Sequence, residues 1–183
     1  MRAFVAIDVP GQVLDSLGSF QSELARTGAD LKLVERENLH FTLKFLGEIA
    51  EAQAAEAKAR LGRLRLASVR VDITRAGAFP NLERARVVWA GVVPEHEVVM
   101  LPIAREVIGA LQGIGERDER PFQAHITLAR VRTGHNAREL GDFLQKSSRR
   151  SFGTADLTEF KLKSSTLTPG GPIYRDLGVF PLT

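Results

Sequence analysis

Two short motifs of one pattern carry the residues best suited to chemistry. They are His40–Leu43 (HFTL) and His125–Leu128 (HITL), and each lies in an apolar run rich in strand-forming residues. Because side chains alternate between the faces of a strand, the His and Thr of each motif share one face. The apolar motif residues then face a core on the other side. Two such strands can supply two imidazoles and two hydroxyls to one cleft, which predicts general acid–base chemistry near neutral pH.

The other two histidines lie outside the pattern. His96 stands at the start of a predicted helix and His135 in a predicted turn, so we expect both to be exposed and neither to be catalytic. A metal site is the main chemical alternative for the two motifs. Typical metal sites place ligands at helical spacing or add Cys or carboxylates. The chain has no Cys, and neither motif has a carboxylate within two positions. We therefore expect no metal and no other cofactor.

Length and composition predict an ordinary globular enzyme or binding domain. The chain has 183 residues, of which 44% are hydrophobic and 26% charged, with a net charge of +3. This length suffices for one domain with a substantial core. No segment approaches the roughly 20 apolar residues of a membrane span, and the N-terminus resembles a strand more than a secretory signal. Since disulfides are excluded, we expect a cytoplasmic location.

The order of predicted elements favours an α+β fold with mainly antiparallel sheets. Helices alternate with strand pairs and hairpins instead of single strands, which argues against a doubly wound parallel sheet. The predicted helices are Pro10–Arg26, Ala50–Leu66, Pro94–Leu111 and Asn136–Lys146, with Asn136 as an N-cap. The predicted strands are Met1–Asp8, Leu31–Val34, Leu39–Leu46, Val69–Ala78, Arg84–Val93, Phe122–Arg132, Phe152–Ala155, Glu159–Thr168 and Ile173–Phe180, with a polar loop over 113–121. The motifs lie 85 positions apart, which suggests two similar lobes facing each other.

Basic residues follow both motifs, and the two after the second motif have the wrong alternation for a shared face. Arg130 and Arg132 come after the second motif and Lys44 after the first. In a regular strand Arg130 and Arg132 would point away from the motif His and Thr. A β-bulge or a strand end is needed to turn Arg130 into the cleft. Without one, each is a solvated surface charge.

Longer stretches around the motifs resemble a known family. The stretch Glu35–Gly47, the segment His125–Arg130 and the opening Arg2–Ile7 are similar to the 2H phosphoesterases. Phe79-Pro80-Asn81, Arg86–Trp89 and Gly171–Tyr174 narrow the resemblance to the RNA 2′,3′-cyclic phosphodiesterases, also called 2′-5′ RNA ligases. The resemblance covers nearly the whole chain. It implies one domain over residues 1–183, built of two pseudo-symmetric lobes, each a mainly antiparallel sheet with outer helices and one His-x-Thr motif, flanking a central cleft.

The resemblance also implies a reaction and the residues that perform it. The reaction is hydrolysis of an RNA terminal 2′,3′-cyclic phosphate to a 2′-phosphomonoester without a metal, and reverse 2′-5′ ligation is left open. By the match of motifs, His40 would protonate the departing 3′ oxygen and His125 would activate water. Thr42 and Thr127 would bind the phosphoryl oxygens, with charge stabilisation from Arg130.

The physical requirements of the reaction agree with this assignment. A base on one side, an acid in line on the other and donors to the phosphoryl oxygens are what hydrolysis of a cyclic phosphodiester needs. Phe79 and Tyr174 are candidates for stacking on a nucleobase, whereas we assign Trp89 to the core.

Other functions remain open at this point. A related 2H hydrolase could act on a small cyclic nucleotide or an ADP-ribose cyclic phosphate, and a non-catalytic module could bind RNA in the same cleft. The expected partner is RNA or an oligonucleotide that ends in a 2′,3′-cyclic phosphate. We expect no membrane association and a monomeric protein.

Overall fold

The structure is a computed structural model that describes residues 1–117 and 120–183. Within these residues the helices are α1 (Gly11–Ala25), α2 (Glu51–Leu61), α3 (Pro94–Ala110) and α4 (Ala137–Lys146), with a short 3-10 helix at Arg36–Asn38. The strands are β1 (Arg2–Asp8), β2 (Leu31–Leu33), β3 (His40–Glu48), β4 (Val69–Phe79), β5 (Val87–Val92), β6 (His125–Val131), β7 (Gly153–Leu157), β8 (Glu159–Thr168) and β9 (Gly171–Pro181). This α+β content confirms the predicted fold class.

All strands join one antiparallel sheet with the two motif strands at its centre. The order is β7-β4-β5-β6-β3-β1-β8-β9, and β2 pairs with the far end of β6. β3 and β6 meet at a single residue pair, Phe41 opposite Ile126. The sheet therefore divides there into a first lobe (β3, β1, β8 and β9) and a second lobe (β6, β5, β4 and β7). Each lobe contributes one motif strand at the junction.

The helices tie the lobes together. α1 follows β1 of the first lobe but packs against β6 and β7 of the second. α3 follows β5 of the second lobe and contacts β3 of the first as well as β4. The apolar face of α1, with Val13, Leu17, Phe20 and Leu24, is fully buried, as its helical spacing predicts. The first lobe is thus partly covered by α3, which follows a strand of the second lobe. The second lobe is partly covered by α1, which follows a strand of the first.

Several predicted boundaries shift because of long-range hydrogen bonds. α2 ends at Leu61 and not at Leu66. The Leu66 carbonyl instead accepts a bond from Thr183 N at 2.9 Å, and Ser68 N donates to Thr183 O at 3.3 Å. This pairing holds the segment after α2 in a non-helical course, which local helix propensity cannot reveal.

The starts of β5 and β6 and the cap of α4 also differ from the prediction. β5 begins at Val87, after a turn in which the Asn81 side chain accepts a bond from Arg84 N, and β6 begins at its motif histidine. Asn136 does precede α4, but its backbone is left-handed and its side chain makes no cap bond. Its amide donates to the Thr27 carbonyl at 3.2 Å. Asn136 therefore links two loops instead of capping the helix. Of the predicted polar loop over 113–121, residues 118 and 119 lie outside the described residues.

Candidate active site

The two motifs place their His and Thr side chains on one face of the sheet. Phe41, Leu43, Ile126 and Leu128 are all at most 3% exposed, while the four motif His and Thr residues are half-buried. The antiparallel register around the Phe41–Ile126 pair directs His40 toward Thr127 and Thr42 toward His125. The structure thus brings together the two motifs that the sequence predicts to share a cleft.

A backbone carbonyl two residues earlier fixes each imidazole. His40 Nδ1 lies 2.7 Å from Asn38 O, and His125 Nδ1 lies 2.8 Å from Gln123 O. A carbonyl can only accept a hydrogen bond, so Nδ1 carries the proton in both rings. In each neutral ring Nε2 is then the acceptor. His40 Nε2 lies 3.0 Å from the Thr42 hydroxyl. Both rings therefore present the atom that can take up or release a proton during a reaction.

Aromatic side chains pack against both imidazoles. His40 contacts Phe4, with ring centroids 5.0 Å apart, and meets the edge of Tyr174 at 5.7 Å. His125 meets Phe79 edge-on at 5.0 Å, and Phe79 in turn contacts Trp89 at 5.3 Å. These contacts restrict ring rotation and exclude water from one side of each histidine. Trp89 is half-buried, which modifies its assignment to the core.

Burial makes both imidazoles harder to protonate. It lowers the pKa of His40, against the opposing effects of the Asn38 carbonyl and the Asp8 carboxylate. It also lowers the pKa of His125, against the Gln123 carbonyl and Glu97. His125 contributes to the lowered pKa of His40 as well, which places the two rings within electrostatic reach of each other. A bound phosphate anion would favour the protonated forms and raise both pKa values.

A cavity of about 530 Å³ opens beside the motifs. Its wall contains His40, Thr42, Thr127, Arg130 and Tyr174. The structure describes both His125 and Phe79, but neither of them lines this cavity. The cavity also has apolar side chains from Phe4, Leu33, Val34, Phe45 and Leu167 and polar ones from Arg2, Lys32, Glu35, Asn38 and Glu116. A wall that combines apolar side chains with hydroxyl, imidazole and cationic groups suits a planar base attached to a charged phosphate.

A β-bulge in β6 turns Arg130 into this cavity. Consecutive residues of β5 lie opposite Thr127 and Ala129, so Leu128 is left without a partner. Leu128 and Ala129 are both fully buried, and the alternation restarts with Arg130 exposed on the motif face. Arg130 also lowers the pKa of Tyr174, although burial, the larger effect, raises it. The bulge that the sequence analysis requires is therefore present.

The first motif has the same bulge at the equivalent position. Consecutive residues of β1 lie opposite Thr42 and Lys44, so Leu43 has no partner. As a result Lys44 is buried, with its ammonium donating to the Glu116 carbonyl at 3.1 Å. Phe45 becomes 61% exposed and lines the cavity. Phe45 is the first-lobe counterpart of Arg130, at the same 85-residue spacing as the histidines.

The neighbours of the two histidines across the strands are different. His40 lies opposite Asp8 on β1, and His125 lies opposite Gly91 on β5. Asp8 belongs to an ion cluster in which Lys163, a buried side chain, lies 3.0 Å from Asp8 and 2.8 Å from Asp176. Lys161 contacts the same two carboxylates at 2.9 and 3.2 Å. The two imidazoles therefore share a geometry but not an electrostatic environment.

Sequence reasoning missed several residues of the cavity. Phe4, Asn38 and Phe45 were not singled out, although all three touch a histidine or line the wall. The 85-residue spacing is the signal that could have found two of them. It relates Asn38 to Gln123, whose carbonyls hold the imidazoles, and Phe45 to Arg130. For Phe4 no comparable signal exists, because its contact depends on the pairing of β1 with β3.

The remaining histidines are not part of the cavity wall. His135 is exposed, as expected. His96 is half-buried instead of exposed, since its Nδ1 accepts a bond from Asp72 N at 2.7 Å. Within residues 1–117 and 120–183, no group of three His, Cys, Asp or Glu side chains could hold a metal ion. No helix in that part of the chain is long and apolar enough to cross a membrane.

Comparison with known proteins identifies the family. The family model described as LigT like Phosphoesterase matches residues 7–89 and again 93–174, so the chain belongs to this phosphoesterase family. The chain is 41% identical to the RNA 2′,3′-cyclic phosphodiesterase of Archaeoglobus fulgidus over 180 residues, 98% of this chain and 99% of that protein.

Solved structures agree with the fold. The crystal structure of the Thermus thermophilus protein TT0787 has a TM-score of 0.80 at 32% identity and covers 100% of this chain and 98% of that one. Escherichia coli LigT complexed with 3′-AMP has a TM-score of 0.80 at 26% identity, with the same coverage. These findings confirm the predicted family and the two-lobed α+β fold.

Proposed function

We propose that this protein hydrolyses the terminal 2′,3′-cyclic phosphate of RNA to a 2′-phosphomonoester, with the two histidines as general acid and base. The observation that carries the proposal is the placement of both motifs on one face of adjacent strands, with Nδ1 of each imidazole held by a carbonyl. Family membership supports it, as do the name of the Archaeoglobus relative and the 3′-AMP complex of the Escherichia coli protein.

The proposed reaction is an in-line displacement at phosphorus. A water oxygen attacks, its proton passes to His125 Nε2, and the bond from phosphorus to the 3′ oxygen breaks. His40 Nε2–H protonates that oxygen as it departs. The products are a 2′-phosphomonoester and a free 3′ hydroxyl. The next cycle begins when the proton on His125 is released and His40 is protonated again.

The different neighbours of the histidines favour this division of roles. An acid must hold a proton before the reaction, and Asp8 opposite His40 offsets part of the lowering of that ring's pKa by burial. His125 has Gly91 in the same position and no carboxylate directly across the strand pair. His40 therefore has a carboxylate residue directly opposite it in the sheet, whereas the carboxylate that favours protonated His125, that of Glu97, comes from α3.

The donors around the motifs match the phosphoryl oxygens. We assign the hydroxyls of Thr42 and Thr127 and the guanidinium of Arg130 to the non-bridging oxygens, where charge accumulates in the transition state. Tyr174 lines the cavity and could stack on the terminal base. Base stacking by Phe79 stays a prediction, since its ring contacts are with His125 and Trp89.

The proposal extends to the whole chain. Residues 1–183 form one phosphoesterase domain, in which each lobe supplies one motif and reverse 2′-5′ ligation uses the same site. The monomeric state and the cytoplasmic location also remain predictions. Analytical ultracentrifugation and cell fractionation test these two points.

The experiment that tests the function compares three substrates in excess chelator. Cytidine 2′,3′-cyclic phosphate, an RNA oligonucleotide with the same terminus and an ADP-ribose cyclic phosphate are incubated with the protein, and products are assigned by ³¹P NMR. We expect the first two to yield 2′-phosphates. Exclusive turnover of the ADP-ribose compound would favour the alternative hydrolase. Binding of RNA without turnover would favour the non-catalytic module, and activity that needs an added divalent ion would overturn the metal-free mechanism.

A further inference from the structure

A second groove, of about 890 Å³, adjoins the cavity. We call it the arginine groove, and its walls come from the β4–β5 turn, the end of β6 and the start of α4. Its cationic side chains are Arg84, Arg86, Arg130 and Arg132. Arg130 lines both the groove and the cavity. The groove therefore begins at the residue assigned to the reacting phosphate.

The charges in the arginine groove are poorly neutralised. Arg132 approaches Asp30 at 3.9 Å. Among the described residues, Arg84, Arg86 and Arg130 have no carboxylate within ion-pair distance. Within residues 1–117 and 120–183, Glu83 is the only acidic residue that lines the groove. Several guanidinium groups along one groove repel each other unless anions lie between them, and their planar forks suit phosphate oxygens.

Strand backbone and a closed hairpin hold these arginines in place. Arg86 N donates to Phe79 O at 2.8 Å, and Val131 N donates to Arg86 O at 2.9 Å. Arg130 lies on β6 opposite Val87. The chain positions of these cations are thus set by β4, β5 and β6, the strands of the second lobe. A row of cations along one groove matches a ligand that carries several anionic groups.

We propose that the arginine groove binds the backbone phosphates of nucleotides that precede the terminal cyclic phosphate. The proposal rests on the proposed function and specifies its substrate class, single-stranded RNA 3′ ends in preference to mononucleotides. The terminal nucleotide occupies the cavity, Arg130 contacts its phosphate, and the preceding chain leaves along Arg86 and Arg84. The contacts are to the backbone, so they add affinity without base preference.

The test compares two substrates with the same reacting group. Cytidine 2′,3′-cyclic phosphate reaches Arg130 but has no preceding nucleotides to contact Arg84 and Arg86, whereas a five-nucleotide RNA ending in that group has them. In Arg84→Gln/Arg86→Gln we expect kcat/KM for the pentamer to fall roughly 25-fold at about 0.1 M salt, with less than about twofold change for the mononucleotide. The slope of log kcat/KM against log salt for the pentamer should fall by about 1.4, about 0.7 for each lost phosphate contact.

The matched control removes two charges elsewhere. Arg63→Gln/Arg105→Gln alters two exposed arginines that are not part of the groove or cavity walls, and both substrates should react as in wild type. An equal loss on both substrates, an unchanged pentamer, or the same loss in the control would overturn the proposal. If the double variant does not fold by circular dichroism, Arg84→Gln alone should show half the change in slope.

The groove can also be judged independently of catalysis. If wild-type protein turns over neither substrate, the proposed function fails. Binding of a fluorescent pentamer, measured by anisotropy, then decides whether the groove binds RNA. Weaker binding in Arg84→Gln/Arg86→Gln than in Arg63→Gln/Arg105→Gln supports the proposal. Equal binding in the two variants overturns it.

Discussion

His40 and His125 are held alike but surrounded differently. Each Nδ1 donates to the carbonyl two residues earlier, so the orientation of both rings is set by the segment that leads into each motif strand. The neighbours opposite them, Asp8 and Gly91, come from other strands. A chain that duplicates one motif can in this way produce an acid and a base from the same residue type, because the environment sets the pKa of each.

Loss of either imidazole should nearly abolish turnover. We expect His40→Ala and His125→Ala each to lower kcat by about 10²–10⁴, the usual contribution of a general acid or base. The double variant should lose much less than the product of the two effects if the rings act as a unit. Initial rates with cytidine 2′,3′-cyclic phosphate measure this, and His135→Ala serves as an exposed control. Near-normal turnover in either single variant would remove that histidine from the mechanism.

Burial of the histidines moves the expected pH profile. Unperturbed imidazoles, with pKa values near about 6.5, would give a broad maximum of kcat/KM between about pH 6 and 8. A lower pKa of the proposed base His125 shifts the acid limb to lower pH, and a lower pKa of the proposed acid His40 shifts the alkaline limb the same way. We therefore expect the maximum for the free enzyme on the acid side of about pH 6.5. The kcat profile should extend further to alkaline pH, since bound phosphate favours both charged rings.

The variants assign the two limbs. Activity left in His125→Ala should lack the acid limb, and activity left in His40→Ala should lack the alkaline limb. Loss of the opposite limbs would reverse the roles, and a full bell in both variants would contradict the two-histidine mechanism. In wild type the two imidazoles interact, so neither apparent pKa of the bell equals the pKa of one isolated histidine.

At the scale of elements, β1, β8 and β9 set the electrostatics of the first lobe. They bring Asp8, Lys161, Lys163 and Asp176 together beside the motif strand. Burial alone would raise the pKa of Asp176, but hydrogen bonds from Lys163 and Lys161 lower it overall. The cluster thus keeps charged groups in place near His40. In the second lobe, the bulge in β6 performs a different task by aiming Arg130 into the cavity.

Removal of the Asp8 charge should lower the pKa of His40. Asp8 raises and Lys163 lowers the pKa of His40, so Asp8→Asn should lower that pKa and move the alkaline limb of kcat/KM to lower pH. Asp176→Asn is the matched control, because it takes a carboxylate from the same lysines without changing the residue opposite His40. Equal shifts of the alkaline limb in both variants, or none in Asp8→Asn, would show that Asp8 does not tune His40.

At the scale of the whole molecule, the two lobes form one sheet and share their helices. The lobes meet at the Phe41–Ile126 pair, and α1 and α3 each cross from one lobe to the other. Neither lobe can therefore lose its structure without exposing apolar surface of the other. The groove and cavity also adjoin each other, since Arg130 belongs to both.

This construction predicts a single unfolding transition. Trp89, the only tryptophan of the chain, lies on β5 and reports the second lobe, while far-ultraviolet circular dichroism reports both lobes. In urea the two signals should change together, with one midpoint and one slope. As a check, Leu17→Ala in α1 should lower both midpoints equally, because this buried helix residue faces the shared core. Two separate midpoints would indicate lobes that fold independently.

The sequence by itself determined which motif residues enter the core and which face a cleft. Alternation in each motif determined that Phe41 and Ile126 enter the core while the His and Thr residues face a cleft, because the period of a strand is a local property. The order of strand pairs and helices determined the α+β class. The duplicated motif was sufficient to predict two lobes and to nominate His40 and His125.

Only the tertiary structure decided what surrounds those groups. The bulge at Leu128 that redirects Arg130, the course of the chain after α2, and the contact of Phe79 with His125 all depend on bonds between distant segments. The same is true of Asp8 opposite His40 and of the row of arginines beside the cavity. Register and packing are set by the whole sheet, and burial and neighbouring charges then set each pKa. For that physical reason, local pattern predicts which residues act but not how each is tuned.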